Sequence, residues 1–199
     1  MNNAEQNDHI SEQEYLQGEL VSEIKHEYVD GYVYAMAGAS RNHERIVQNI
    51  ARFVGQHLAD SSSCEPLGSD TKVKTSTGKY RYPDYMVVCD ETIDDEYYTE
   101  SPVILVEVLS HTTRQSDYQA KRLEYINIPT LEEYVLIEQD FVGITVFRKT
   151  AHWQPDYYFL GEDVTFESID LTLPVADIYH RVDNLDMVQW LESLKITAD

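Results

Sequence analysis

Hydrophobic positions along this chain switch between two periods. His26-Glu-Tyr-Val-Asp-Gly-Tyr-Val-Tyr-Ala35 alternates apolar and polar residues around Asp30-Gly31, which predicts a tight β-hairpin. From Ser40 to Leu58 the spacing becomes helical: Ile46, Ile50, Phe53, Val54 and Leu58 form a stripe behind a Ser40 N-cap. Ser11 opens a short helix to Leu20. Residues 71–76 and 79–82 flank Gly78 as a second hairpin. Residues 85–89 and 103–109 are apolar strands separated by an acidic loop. Ser116 starts a helix limited by Pro129, strands follow at 134–137, 144–148, 157–160 and 164–166, and residues 174–180 and 187–194 are helical.

This order predicts an α/β fold, a central mixed β-sheet flanked by helices. No repeat, low-complexity tract or Pro/Gly/Ser linker divides the chain, so residues 1–10 are expected to be a disordered tail and 11–199 one domain. At 199 residues and 42% hydrophobic, the chain can bury one substantial core. No apolar run approaches the roughly 20 residues that span a bilayer, so no membrane partner is expected. The polar, acidic start is unlike a secretory signal, and cytoplasmic residence is the expectation. Cys64 and Cys89 stand outside any CxxC or Cys/His pattern, which argues against zinc.

A formal net charge of −21 opposes phosphate-bearing partners. The excess is uneven: residues 31–82 carry seven basic against four acidic side chains. A phosphate-binding face would therefore draw on that stretch together with Arg114, Lys121 and Arg122.

The sharpest chemical signal is Glu107, a lone carboxylate inside the apolar run Val103–Leu109. An ionised carboxylate there costs several kcal/mol unless it is compensated. Its plain reading is a buried ion pair with Arg81 or Arg114. Asp84, after Tyr82-Pro83, begins the neighbouring strand and is by itself a turn residue. Together, Asp84 and Glu107 offer hard oxygen ligands that suit magnesium or manganese. Asp117 and Lys121 read on residues alone as an exposed i,i+4 helix pair, His43 as a surface or capping residue, and Glu27 as ambiguous. The absence of a Gly-rich phosphate loop, a G-x-S-x-G elbow and an HExxH helix disfavours P-loop NTPases, serine hydrolases and zincins.

In order, Glu27-Tyr-Val-Asp-Gly31, His43, Ser69-Asp70, Tyr82-Pro-Asp84, Val106-Glu-Val-Leu-Ser110, Thr113-Arg114, Asp117, Lys121, Tyr125, Glu133-Tyr-Val-Leu-Ile137, Val146-Phe-Arg148 and Leu173-Pro-Val-Ala-Asp-Ile178 resemble the Uma family of restriction-endonuclease-like proteins, within the PD-(D/E)XK nuclease superfamily. The resemblance covers about residues 12 to 180. It implies a restriction-endonuclease-like fold and magnesium-dependent phosphodiester hydrolysis of nucleic acid, DNA above RNA. Asp84 matches the superfamily aspartate and Glu107 its acidic partner. Position 109, where the usual lysine falls, is Leu109, so the resemblance assigns the catalytic lysine to Lys121 on the following helix. Glu27 would add a further carboxylate, and a homodimer fits the superfamily. His111 departs from the proline that relatives often carry.

The expected mechanism holds magnesium, or manganese, through Asp84, Glu107 and the Val108 carbonyl, with Lys121 orienting the nucleophile. The alternatives are a nuclease-like fold serving as a protein-interaction or regulatory module with little catalysis, and a hydrolase of small phosphoesters.

Overall fold

Local signals start most elements. The computed structural model describes residues 9–59, 63–89 and 95–196. Residues 1–8 of the expected tail lie outside that range, whereas Ile10 donates its amide to the Gly31 carbonyl at 3.0 Å. Ser11 caps α1 (Glu12–Glu19) in a reciprocal box: its hydroxyl accepts from the Glu14 amide at 3.2 Å, and the Glu14 carboxylate accepts from the Ser11 amide at 2.8 Å. Strands β1 (His26–Val29) and β2 (Tyr32–Ala35) form the predicted hairpin, with Asp30 and Gly31 at φ 51° and 88°, the left-handed pair its turn requires. Ser40 caps α2 (Arg41–Leu58), which buries Ile46, Ile50, Val54 and Leu58.

Next come β3 (Cys64–Gly68), β4 (Lys72–Lys74), β5 (Tyr80–Arg81), β6 (Tyr85–Cys89), β7 (Tyr98–Thr99) and β8 (Pro102–Leu109). A composite helix follows: α3 (Arg114–Ser116), a π-helical turn (Asp117–Lys121) and α4 (Arg122–Tyr125). The rest is β9 (Glu133–Glu138), β10 (Ile144–Arg148), β11 (Pro155–Tyr158), β12 (Asp163–Phe166), β13 (Leu171–Pro174), α5 (Val175–Ile178) and α6 (Leu185–Ile196).

The mixed α/β architecture is as expected, but the strands divide into three sheets. A six-stranded mixed sheet runs β11-β10-β9-β8-β6-β3, with β8 and β9 parallel and the other pairs antiparallel. A second sheet runs β2-β1-β5-β4-β7, and β12 pairs with β13. The sequence pattern misses β3, β7 and β13, and it places β11 two residues late. β3 carries Pro66, is half-buried or exposed throughout, and exists through its pairing with β6. Cys64 and Cys89, opposite one another on those strands, are joined by a disulfide.

Side-chain alternation along the large sheet separates two cores. Tyr85, Val87, Ile104, Val106, Val108, Val135 and Ile137 pack with the α2 stripe and α5. Met86, Val88, Leu105, Leu109, Tyr134, Leu136 and Phe147 pack with Tyr125 and Ile128. Val103 does not share the face of Glu107: it packs with the first core, next to a register shift between Val87 and Val88. Among the described residues no helix is long and apolar enough to cross a membrane.

Candidate active site

Strand alternation puts Glu107 on the same face as Leu105 and Leu109, turned into the second core at 3% exposure. Two donors meet its Oε1: Lys121 Nζ at 2.9 Å and the Tyr125 hydroxyl at 3.0 Å. Neither guanidinium of the plain reading reaches it. Arg81 pairs with Glu27 and Glu124, and Arg114 with Glu138.

Lys121 and Asp117 are not a surface pair, because the π-helical turn carries both inward to 6% and 2% exposure. Lys121 Nζ lies 3.2 Å from Asp117 Oδ1 and 3.3 Å from Glu27 Oε1, so three carboxylates surround one ammonium. Glu27 arrives from β1 in the other sheet, and Arg81 on β5 binds its Oε2 at 2.7 Å. The same Arg81 forks onto Glu124 at 2.9 and 3.0 Å, and Lys79 adds a third bond to Glu124 at 2.9 Å. This network ties α4 to the five-stranded sheet.

Asp84, one residue before β6, stands beside Glu107: its Oδ2 accepts from the Val108 amide at 2.7 Å. A strand residue directs its N–H and C=O to one side, so the Val108 carbonyl faces the same side of β8. His43, in the first turn of α2, places Nε2 3.1 Å from the same Asp84 oxygen. From the sequence alone His43 reads as a capping or surface residue, and its place in the family pattern is the signal that points to the site. Among the described residues, Glu107 Oε2 and Asp84 Oδ1 accept no hydrogen bond.

Charge in the cluster is unbalanced. Glu27, Asp84, Glu107, Asp117 and Glu124 face Lys79, Arg81 and Lys121. Burial, with Asp117, Asp84 and Glu27 nearby, pushes the Glu107 carboxyl well above the usual carboxylate range despite Lys121. Burial also raises Asp117, partly offset by Lys121. Burial opposes ionisation of Glu27 too, yet Lys121 and Arg81 outweigh it and hold its pKa low. For Lys121 the desolvation cost is exceeded by Glu107, Glu27 and Asp117, which keep it charged. The Asp84 carboxylate likewise outweighs burial at His43 and raises its pKa.

All four residues proposed from sequence, Glu27, Asp84, Glu107 and Lys121, thus converge at one end of β8. Comparison with known proteins agrees on the fold. A protein of Synechocystis sp. named "Uncharacterized protein slr1290" is 34% identical over 174 residues, covering 85% of this chain and 91% of that protein. A second from the same organism, "Uncharacterized protein sll1609", is 32% identical over 145 residues, covering 71% and 81%. The crystal structure of "a putative nuclease belonging to DUF820" from Anabaena variabilis superposes with a TM-score of 0.68 at 17% identity, covering 85% of this chain and 97% of that one. The family model Uma2, described as "Putative restriction endonuclease", matches residues 12–176, and the chain belongs to that family.

Proposed function

We propose that the chain hydrolyses phosphodiester bonds in nucleic acid, DNA foremost, using magnesium, or manganese in its place, held by Asp84, Glu107 and the Val108 carbonyl. The observation that carries this reading is Lys121 Nζ at 2.9 Å from Glu107, from a helix and not from strand position 109, with Asp84 alongside.

The donor set fits a hard cation. Each carboxylate has one oxygen fixed by protein donors and one that accepts no bond from the described residues. Among the described residues no three His, Cys, Asp or Glu side chains gather as ready ligands. Magnesium keeps several waters and needs only one or two carboxylates, so this set suffices. The cluster's excess of carboxyl groups over cations supports the same fit, because a divalent cation would favour the ionised Glu107 that burial alone disfavours. When bound, the ion polarises the phosphate and lowers the pKa of water.

The chain's own residues supply the rest. Lys121, kept protonated by its three neighbours, acts as a donor and point charge that offsets charge developing on the phosphate. Both Glu27 oxygens lie against cations, so Glu27 aims Lys121 and is not needed as a metal ligand. Tyr125 fixes Glu107, while the Val108 amide and His43 fix Asp84. A homodimer in the cytoplasm, one copy per strand, is the setting this reading favours.

The test is cleavage of DNA and RNA against magnesium concentration, for wild type and Glu107→Gln. Metal-dependent cleavage lost in Glu107→Gln supports the proposal, and no cleavage by wild type across the series defeats it. The interaction-module reading has one observation in its favour: Leu109 is fully buried in the second core, so no lysine stands at the superfamily's usual position.

A further inference from the structure

We propose that an arginine-lined groove along α2 carries the backbone phosphates of the nucleic-acid strand beyond the scissile bond; this rests on the nuclease reading and adds where the substrate lies. In a chain with 36 acidic and 15 basic residues, a basic side chain without an acidic partner stands out. Lys25, Lys74, Lys79, Arg81, Arg114, Lys121, Arg148 and Lys149 are all in ion pairs. Lys72 is buried against the Tyr82 ring. The basic stretch 31–82 therefore spends Lys72, Lys74, Lys79 and Arg81 inside the fold.

Arg41, Arg45 and Arg52 remain, all on α2, and none has an ion-pair partner among the described residues. Positions 41, 45, 48 and 52 share one helix face. That face lies away from the buried stripe. Asn49 ties it to the end of α5 through bonds of 2.9 Å to the Ile178 and His180 carbonyls, which brings the exposed Arg181 alongside. Arg45, Gln48, Asn49, Arg52, His180 and Arg181 line an open groove of about 380 Å³, with Glu44 as the acidic residue among its walls.

Its chemistry and dimensions both suit a phosphodiester backbone. Guanidinium forks match phosphate oxygens, and two of these are already ordered: Arg45 bonds Asn42 Oδ1 at 3.1 Å, and Arg52 lies 4.4 Å over the Phe53 ring. At about 1.5 Å per residue, Arg45 to Arg52 spans roughly 10 Å, or about three 3.4 Å steps of one DNA strand. His43, in the first turn of the same helix, touches Asp84, so the N-terminal end of α2 is its end nearest the candidate site, with the arginines on the face turned away from His43. Against the −21 field, a local cationic track is the feature that would select where a polyanion lands.

The experiment measures binding of a labelled DNA duplex, with calcium replacing magnesium, across a salt series. It compares wild type, Arg45→Ala/Arg52→Ala, Arg181→Ala and the charge-matched control Lys149→Ala/Lys195→Ala. Wild-type magnesium-dependent cleavage is assayed separately. The groove variants should weaken binding by about tenfold or more and flatten the slope of log K against log salt by about 0.9 per lost phosphate contact, while the control stays near wild type. If wild type cleaves DNA but the groove and control variants bind alike, the groove assignment is overturned and the nuclease reading stands. If wild type binds DNA without salt dependence, the groove assignment falls. Absence of wild-type cleavage is the separate result that sinks the nuclease reading.

Discussion

Lys121 donates to Glu107 at 2.9 Å across fourteen residues, from the end of a π-helical turn. That turn matters because a π-bulge, with its i→i+5 bonding, changes which side chains of a helix face inward. Here Asp117 and Lys121 go into the core, while Tyr125 in the α-helical turn beyond reaches the same carboxylate oxygen. Three side chains of one composite helix are thereby fixed around the single acid of β8.

Lys121→Ala is expected to cost far more stability than a surface pair would. Removing it strands Glu107, Glu27 and Asp117 without their shared cation, and breaking a buried pair this way costs about 3–5 kcal/mol. Urea unfolding should show that loss alongside loss of cleavage. A change under about 1 kcal/mol, the range of exposed pairs, would mean that the ammonium is solvated.

The two glutamates of the cluster should respond to pH with opposite sign. Glu107 has a raised pKa in the fold, so its contribution is largest below the unfolded value and declines as pH rises toward the folded value. Glu107→Gln removes that decline, so in metal-free buffer its melting temperature relative to wild type should climb as pH rises above the usual carboxylate range. Glu27 has a lowered pKa, and its stabilisation is present above the unfolded value and lost as pH falls through the folded one. Glu27→Gln should therefore lose most, relative to wild type, near neutral pH. Parallel melting curves for wild type and both variants would contradict these assignments.

Tyr125→Phe tests how Glu107 is aimed. The lost hydroxyl bond orients and helps ionise the carboxylate, and removing such an outer partner typically costs about 10–100-fold in metal affinity. Calorimetric titration with magnesium and with manganese should show the weakening in both. Unchanged affinity would place the metal elsewhere.

Much of the scaffold was legible because its signals are local. The Ser11–Glu14 box, the Asp30-Gly31 turn and the α2 stripe each sit within a few residues of what they specify. β3 was not legible, since Cys64-Glu-Pro-Leu-Gly becomes a strand only against β6. The composition of the site was readable from lone carboxylates in apolar surroundings, whereas its wiring was not. Glu27 and Arg81 come from one sheet, Glu107 from another and Lys121 from a helix, and no periodicity encodes that meeting. His43 is the plainest case: 41 residues separate it from Asp84, and its helix-start position suggested a cap.

The Cys64–Cys89 bridge closes a segment with a sequence separation of 25 that contains β4, β5 and Asp84. Loop-closure entropy gives such a cross-link about 2–4 kcal/mol. Cys64→Ser/Cys89→Ser should lower stability by that amount when compared with oxidised protein, and should match wild type once the wild type is fully reduced. Equal stability of oxidised and reduced wild type would show that β3–β6 pairing holds this segment unaided.

The most direct test of the account is divalent-metal binding followed by melting temperature in wild type, Asp84→Asn and Glu107→Gln, with DNA cleavage recorded on the same samples. A ligand at about 100 times its Kd stabilises by about 2.7 kcal/mol. Saturating magnesium should therefore raise the wild-type melting temperature, leave both variants unmoved, and support cleavage only in wild type. Equal magnesium shifts in all three proteins, or cleavage that survives in Asp84→Asn, would contradict a metal centre at Asp84 and Glu107.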